Sequence, residues 1–401
     1  MTLKLTARTS RITQAEIRAM SIECERIGGI NLAQGVCDTE IPNPVRRGAQ
    51  RAIDAGLNSY TRYDGLFALR EAIARKVFEF NRIQLDPATD IIVSAGSTGA
   101  FYCTCLALLD SGDEVILFEP FYGYHLNTLL AVEAVPRFVK TRPPDWEVDW
   151  DEVAATITPR TKALVLNTPA NPSGKVFSER EIVQIAELAC RHDLFVLTDE
   201  IYEHFRYDGK EHLSPATLPG MKDRTITISG LSKTYSITGW RIGYSASRSD
   251  WAKAIGHVND LVYVCAPAPL QMGVAEGLNE LDSSFYQALS SEYGRKRDRL
   301  CRSLSIAGLT PFVPAGAYYV LADVSKVPGQ DSREKAMFLL RHARVASVPG
   351  AAFYHDSEGD NLVRFCFAKK DAELNEACSY LENFSNVRYG SQSVAFEQVQ
   401  R

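Results

Sequence analysis

Short apolar runs alternate with helix-patterned stretches from residue 90 to residue 244, and this alternation restricts the fold more than any other feature of the chain. Residues 90–93, 114–118, 135–139, 162–166, 194–197 and 225–229 are the runs. Between them the spacing predicts helices over 97–109, from Tyr122 onward and over 178–191. The last of these has Ser178 as its N-cap, with Glu179 and Glu181 in the first turn. Continuous apolar runs of four to eight residues are strands buried on both faces. Such strands belong to a mainly parallel sheet with helices on each side. The pattern changes near Asp282. A long helical stretch runs to about Ala307, followed by strands at 317–321 and 362–367 and helices at 333–341 and 371–384. This reads as a second, smaller α+β domain, because 401 residues exceed one ordinary core. Residues 386–401 are polar and read as a loosely held tail.

Bulk properties exclude several classes. The 44 basic and 49 acidic residues give a net charge of −5 with no basic run, which disfavours nucleic acid or an acidic membrane as partner. No apolar run approaches the ~20 residues that span a bilayer, and the first residues lack a secretory apolar core. The nine cysteines are odd in number and contain no CxxC pair. Reduced thiols in a cytoplasm fit this pattern, and a metal site does not. The seven histidines are scattered and read as structural or surface residues.

Ligands of α/β sheets bind beyond the carboxyl ends of the strands, and the chemically suggestive residues fall there. Gly96, Ser97 and Thr98 make a small-residue turn into a helix whose first amides suit a phosphate. No GxGxxG is present, so a dinucleotide is disfavoured. Asp199 ends a strand and could hold a pyridine nitrogen protonated, with Tyr202 three residues on; read alone, Asp199 is equally a helix N-cap. Asn171 lies between Pro169 and Pro172 in a rigid turn. Tyr122 could stack on a ring or simply pack in the core. Lys233 sits on a Ser/Gly-rich connection, with Arg241 eight residues later. Lysine forms Schiff bases with aldehydes, and arginine matches phosphate oxygens; in isolation both read as solvated loop residues. Arg364 interrupts an apolar strand, so it pairs either with a protein carboxylate or with a substrate's.

Taken in order, the Gly-turn, Glu119-Pro120-Phe121-Tyr122, Asn167-Thr168-Pro169-Ala170-Asn171-Pro172-Ser173-Gly174, Asp199-Glu200-Ile201-Tyr202, the run from Ser232-Lys233-Thr234 to Gly239-Trp240-Arg241-Ile242-Gly243-Tyr244 and the late Arg364 strand resemble one family. It is the class I/II pyridoxal 5′-phosphate-dependent aminotransferases of fold type I, over residues 31–384. The similarity is closest to the gamma branch of prokaryotic aspartate, aromatic and kynurenine/glutamine transaminases. The resemblance implies a large domain with a seven-stranded-type sheet at 43–285. It also implies a small domain at 286–401 and a segment at 1–42 joining the small domain. It implies that Lys233 carries the cofactor, Asp199 pairs with its ring nitrogen, and Asn171 and Tyr202 bind its phenolic oxygen. Tyr122 would stack on the ring, and Gly96, Ser97, Thr98 and Arg241 would hold the phosphate. Tyr60 would reach the phosphate of the other subunit in a homodimer. Arg364, Asn171 and the Gly35 backbone would hold the substrate carboxylate, and Tyr263 would lend its ring to the neighbour's substrate pocket. Two positions depart from the family: Gly230 stands where a phosphate-binding serine is usual, and Cys37 stands where proline is favoured. The implied activity is ping-pong transfer of an amino group from an L-amino acid to a 2-oxo acid. A carbon–sulfur β-lyase or an amino acid oxidase on the same fold is the alternative, and a cofactor-sensing regulator is a more distant one.

Overall fold

A computed structural model describes residues 4–6, 8–12 and 16–384; the tail expected at 386–401 lies outside them. Eight strands form the main sheet. In chain order they are β1 (Ile91–Ala95), β2 (Glu114–Glu119), β3 (Val135–Arg142), β4 (Glu147–Val148), β5 (Thr161–Asn167), β6 (Phe195–Asp199), β7 (Thr225–Gly230) and β8 (Ile242–Ala246). Their order across the sheet is β1-β8-β7-β6-β5-β2-β3-β4. The pairs β7–β6, β6–β5, β5–β2 and β2–β3 are parallel, whereas β8 runs antiparallel to both neighbours and the two-residue β4 is antiparallel to β3. The mainly parallel sheet is as expected, with β4 added at its outer edge.

Alternation along the strands covers both faces. Ile116, Leu164, Leu166 and Val196 pack with Ile182 and Ile185 of the helix Glu179–His192. Val115, Leu117, Val165, Leu197 and Ile228 pack with Phe101, Leu129 and Ile255 on the opposite side. Ser178 caps its helix as the sequence suggested, in a reciprocal capping box with Glu181. The helix Gly96–Leu108, which leaves β1, has Ala95 at its N-cap and no side-chain cap, so its first amides are left for another partner.

After Asp282 the long helix Ser283–Ile306 leads to a second sheet of β9 (Thr310–Phe312), β10 (Tyr319–Asp323), β11 (Val348–Pro349) and β12 (Leu362–Cys366), antiparallel in the order β9-β10-β12-β11. β10 begins two residues later than the apolar run suggests, because Ala317 has a φ of 57°. Ile30 and Asn31 pair in parallel with Val345 and Ala346, which ties the N-terminal segment to this second layer.

The placement of the loops around β8 depends on one close approach. Gly243 pairs with Gly230 on β7, and a Cβ at 243 would run into the Gly96 carbonyl carbon and the Ser97 amide nitrogen. Backbone cannot move aside as a side-chain tip can. Gly243→Ala is therefore expected to cost about 1–3 kcal/mol in urea unfolding, as overpacked sites do. Gly239→Ala, where an added methyl meets nothing within 4 Å, should stay within about 0.5 kcal/mol of the parent.

Candidate active site

Asn167 and Asp199 end adjacent strands and are register partners, and Asp199 in turn pairs with Ile228 on β7. The loops leaving these strand ends enclose a cavity of about 90 Å³. Eight residues named from the sequence line it: Ser97, Thr98, Tyr122, Asn171, Asp199, Tyr202, Lys233 and Arg241. Asn167, Ile201 and Ser232 complete the wall.

Asp199 is buried. One carboxylate oxygen lies 3.0 Å from His125 Nε2 and the other accepts the Ile201 amide at 3.2 Å. It thus caps a turn and also faces the cavity, and no α-helix follows it. His125 is buried in the first turn of the helix Gly123–Ala131, edge-on to Tyr122 with ring centroids 5.2 Å apart. The Asn167 amide donates to the Asp199 carbonyl at 3.0 Å, and its oxygen accepts the Asn171 amide at 2.7 Å. Thr168–Pro169 and Asn171–Pro172 are both cis, as the proline spacing allowed.

Lys233 Nζ donates to the Gly35 carbonyl at 3.2 Å and lies 5.9 Å from the Tyr318 ring centroid. Burial, with the positive charges of Arg241 and Arg364 nearby, lowers its pKa from the ordinary lysine value, opposed in part by Cys37 and Cys366. Cys37 Sγ lies 3.4 Å from the Lys233 carbonyl, so the departure at residue 37 borders the lysine itself. Arg241 lies just before β8. Its φ of 56° turns the chain there, with Nη2 3.3 Å from the Ala95 carbonyl. A Cβ on Gly96, whose φ is +77°, would lie 2.7 Å from Arg241 Cζ. Glycine at 96 therefore lets the guanidinium reach the open helix end. A Cβ on Gly230 would lie 3.0 Å from both the Ile242 carbonyl oxygen and Gly243 Cα. A side chain there would be tightly placed, and Ser232 is the nearby hydroxyl that lines the cavity.

Arg364, on β12, is 1% exposed. Its Nη1 donates to the Asn171 side-chain oxygen and its Nη2 to the Ala33 carbonyl, both at 2.8 Å. Its Cζ lies 4.1 Å from the Tyr319 ring centroid. No carboxylate pairs with it among the described residues, and its Nε has no partner. The Tyr319 hydroxyl lies 2.9 Å from that of Tyr202, and burial raises both phenols, Tyr319 to about 12.

Two expected residues are elsewhere. Tyr60 is 82% exposed and contributes nothing to this chain's cavity. Tyr263 turns inward: its hydroxyl bonds Asn259, and its ring packs with the cluster around Ala100 and Phe101. Its ring packs within its own chain, half-buried, and any contribution to a neighbour's pocket would come from the part left open. His125, Asn167, Tyr318 and Tyr319 were not foreseen. His125 lies three residues after Tyr122, at the start of the helix Gly123–Ala131, but nothing in that spacing points to Asp199. Asn167 ends a buried strand, whereas paired tyrosines in an apolar run look like core.

A family model described as aminotransferase class I and II matches residues 27–381. The chain is similar to the kynurenine–oxoglutarate transaminase of Dictyostelium discoideum, 33% identical over 88% of this chain and 90% of that protein. It is likewise similar to the methionine aminotransferase of Escherichia coli, 33% identical over 90% of this chain and 94% of that one. The solved N-succinyldiaminopimelate aminotransferase of Mycobacterium tuberculosis superimposes with a TM-score of 0.92 at 34% identity, over 95% of this chain and 100% of that one. The strand-end cavity with Lys233 and Arg241, and Arg364 bonded to its Asn171, thus lie within a fold shared along nearly the whole chain, which belongs to the class I and II aminotransferase family.

Proposed function

We propose that the amino-group transfer of this transaminase runs on pyridoxal 5′-phosphate held in the cavity around Lys233. The residues present fit that group. The uncapped helix end at Gly96, with Ser97, Thr98 and Arg241, suits a dianionic phosphate. The planar ring would lie against Tyr122, with Asp199 at its nitrogen and Asn171 and Tyr202 at its phenolic oxygen. When bound, the cofactor supplies an aldehyde that links to amines and a ring that accepts the electron pair left at Cα. Lys233 would then serve as base and acid: its Nζ would take the proton from the substrate's Cα and return it to the cofactor carbon on the far side of the amino nitrogen. His125 holds the Asp199 carboxylate in place so that its charge stays directed at the ring nitrogen. Arg364 holds the substrate's α-carboxylate with Asn171 and the backbone around Gly35. Two such half-reactions, first with an L-amino acid and then with a 2-oxo acid, complete a ping-pong cycle.

The observation that carries this reading is a desolvated lysine amine sharing one small cavity with the buried Asp199. Arg364 supports it, since a buried guanidinium without a carboxylate partner is costly unless a ligand supplies one. The apolar side chains of Tyr60 (82% exposed) and Leu261 (87% exposed), with Val262 and Val264, suit coverage by a second copy in a homodimer. Tyr60 would then reach the partner's phosphate site. No helix among the described residues is long and apolar enough to cross a membrane; with nine free cysteines, a cytoplasmic enzyme is the fitting setting.

Lys233→Ala should lower turnover by at least ~10²–10⁴-fold, the usual contribution of a positioned acid–base group. Borohydride should then fail to fix the cofactor to the chain. Release of ammonia without a 2-oxo acid acceptor would instead indicate a lyase. In the apoprotein only the neutral amine can capture an aldehyde. Because the Lys233 pKa is lowered, the capture rate should rise with pH and level off below the ordinary lysine value of ~10.4. Absorbance after mixing with pyridoxal phosphate measures this; a midpoint at or above that value would contradict the desolvation.

Arg364→Lys keeps the charge but loses the bidentate fork. The Michaelis constant for the amino donor should rise about 10–100-fold, the cost of a lost charge-assisted bond, while cofactor content holds. Sharing of sites is tested by mixing inactive Lys233→Ala and Tyr60→Ala subunits. Activity returning toward roughly a quarter of the parent's is expected for random pairing in a twofold dimer, and none if each site is complete within one chain.

A further inference from the structure

A second, larger concavity of about 840 Å³ opens between residues 75–80, the loop 204–210 and the helix Ser283–Ile306. It shares no lining residue with the cavity around Lys233. Its volume is that of a site for a small organic molecule. One wall is a row of rings: His204 lies 4.3 Å from Tyr286, nearly parallel to it, and 4.5 Å from Phe80. His204 is only 4% exposed, and its Nε2 has no hydrogen-bond partner. Burial holds this imidazole down to about 3, so it is neutral at ordinary pH. A buried ring nitrogen left unpaired is a cost that the fold carries at this wall.

The charges beside that wall are unevenly matched. Arg297 is paired with Asp208 and Asp298, and Lys76 with Glu203. Arg206, Lys210 and Arg295 have no ion-pair partner among the described residues. The Arg206 Nε is buried without a hydrogen bond, its Nη1 makes one contact of 3.4 Å with the Lys210 carbonyl, and its Cζ lies 5.2 Å from the Phe80 ring centroid. Of the acidic residues lining the concavity outside those pairs, Asp282 caps its own helix, leaving Glu79.

We infer that this groove is a binding site for a flat aromatic carboxylate. The ring would lie along Phe80, His204 and Tyr286. The carboxylate would take the Arg206 Nη groups, with Arg295 and Lys210 adding charge. Carboxylates would also enter the active site through Arg364, so the test uses cofactor-loaded Arg364→Lys protein and calorimetry with indole-3-carboxylate. One ligand per chain is expected. Adding Arg206→Ala should weaken binding by at least about tenfold, the effect of one charge-assisted bond, and Arg206→Lys by less. In the Arg364-intact enzyme, Arg206→Ala should leave kcat unchanged. Cyclohexanecarboxylate and inorganic phosphate should bind at least about tenfold more weakly, because each lacks half of the recognition. The proposal is overturned if indole-3-carboxylate does not bind the Arg364→Lys protein, as would follow were a second copy of the chain to fill the groove. Binding indifferent to both Arg206 variants, or phosphate binding as tightly as the aromatic acid, overturns it as well.

Discussion

Asn167 stands beside Asp199, and Asp199 beside Ile228, because three buried strands pair in parallel in one register. A shift of one residue would turn Leu197 and Val196 to the wrong helical layers, so hydrophobic burial fixes this register firmly. Everything chemical follows from it. The Asp199 carboxylate, the Asn171 turn and the Lys233 loop leave the same edge of the sheet. Antiparallel β8 then brings Arg241 back to the start of the helix Gly96–Leu108.

The site concentrates charge where water is scarce. Lys233, Asp199 and Arg364 all lie in or next to it, yet no two of them form an ion pair among the described residues. Asp199 is held by His125 and a backbone amide, Arg364 by amide and carbonyl oxygens, and Lys233 by the Gly35 carbonyl. Dipoles of this kind orient a charge without cancelling it, so each remains free to meet charge on a ligand. Beneath the site the opposite rule applies. Lys76, Asn81, His212 and Ser214 satisfy the buried carboxylates Glu200 and Glu203. That network anchors the turn carrying Asp199 and Tyr202.

Much of this was legible in the residues. The apolar runs placed β1, β2, β5, β6 and β7 to within two residues, and the N-cap at Ser178 was readable from its position. The lysine, the aspartate, the asparagine turn and the late arginine were each identifiable at a strand end or within a strand. What they share is a local signal, either a polar residue where burial demands an apolar one or small residues where a turn must bend. His125 lacked such a signal in itself, as its role depends on Asp199, 74 residues away. Tyr263 carried no local signal of its own and was named only through the family resemblance.

By itself, then, the sequence determined the parallel α/β layers, the small second domain, the chemical character of the site and the candidate residues within it. Those depend on periodicity and residue type, which are local. Only the tertiary structure decided that Arg364 has no carboxylate partner among the described residues and that a side chain at 230 would crowd the Ile242 carbonyl and Gly243. It also set Cys37 against the lysine's own backbone, and left His204 and Arg206 with unpaired nitrogens on a second groove. Each of these is a relation between segments far apart in the chain. Whether a buried charge or ring nitrogen is satisfied depends on what packing brings within about 3 Å of it, and no spacing along the chain states that.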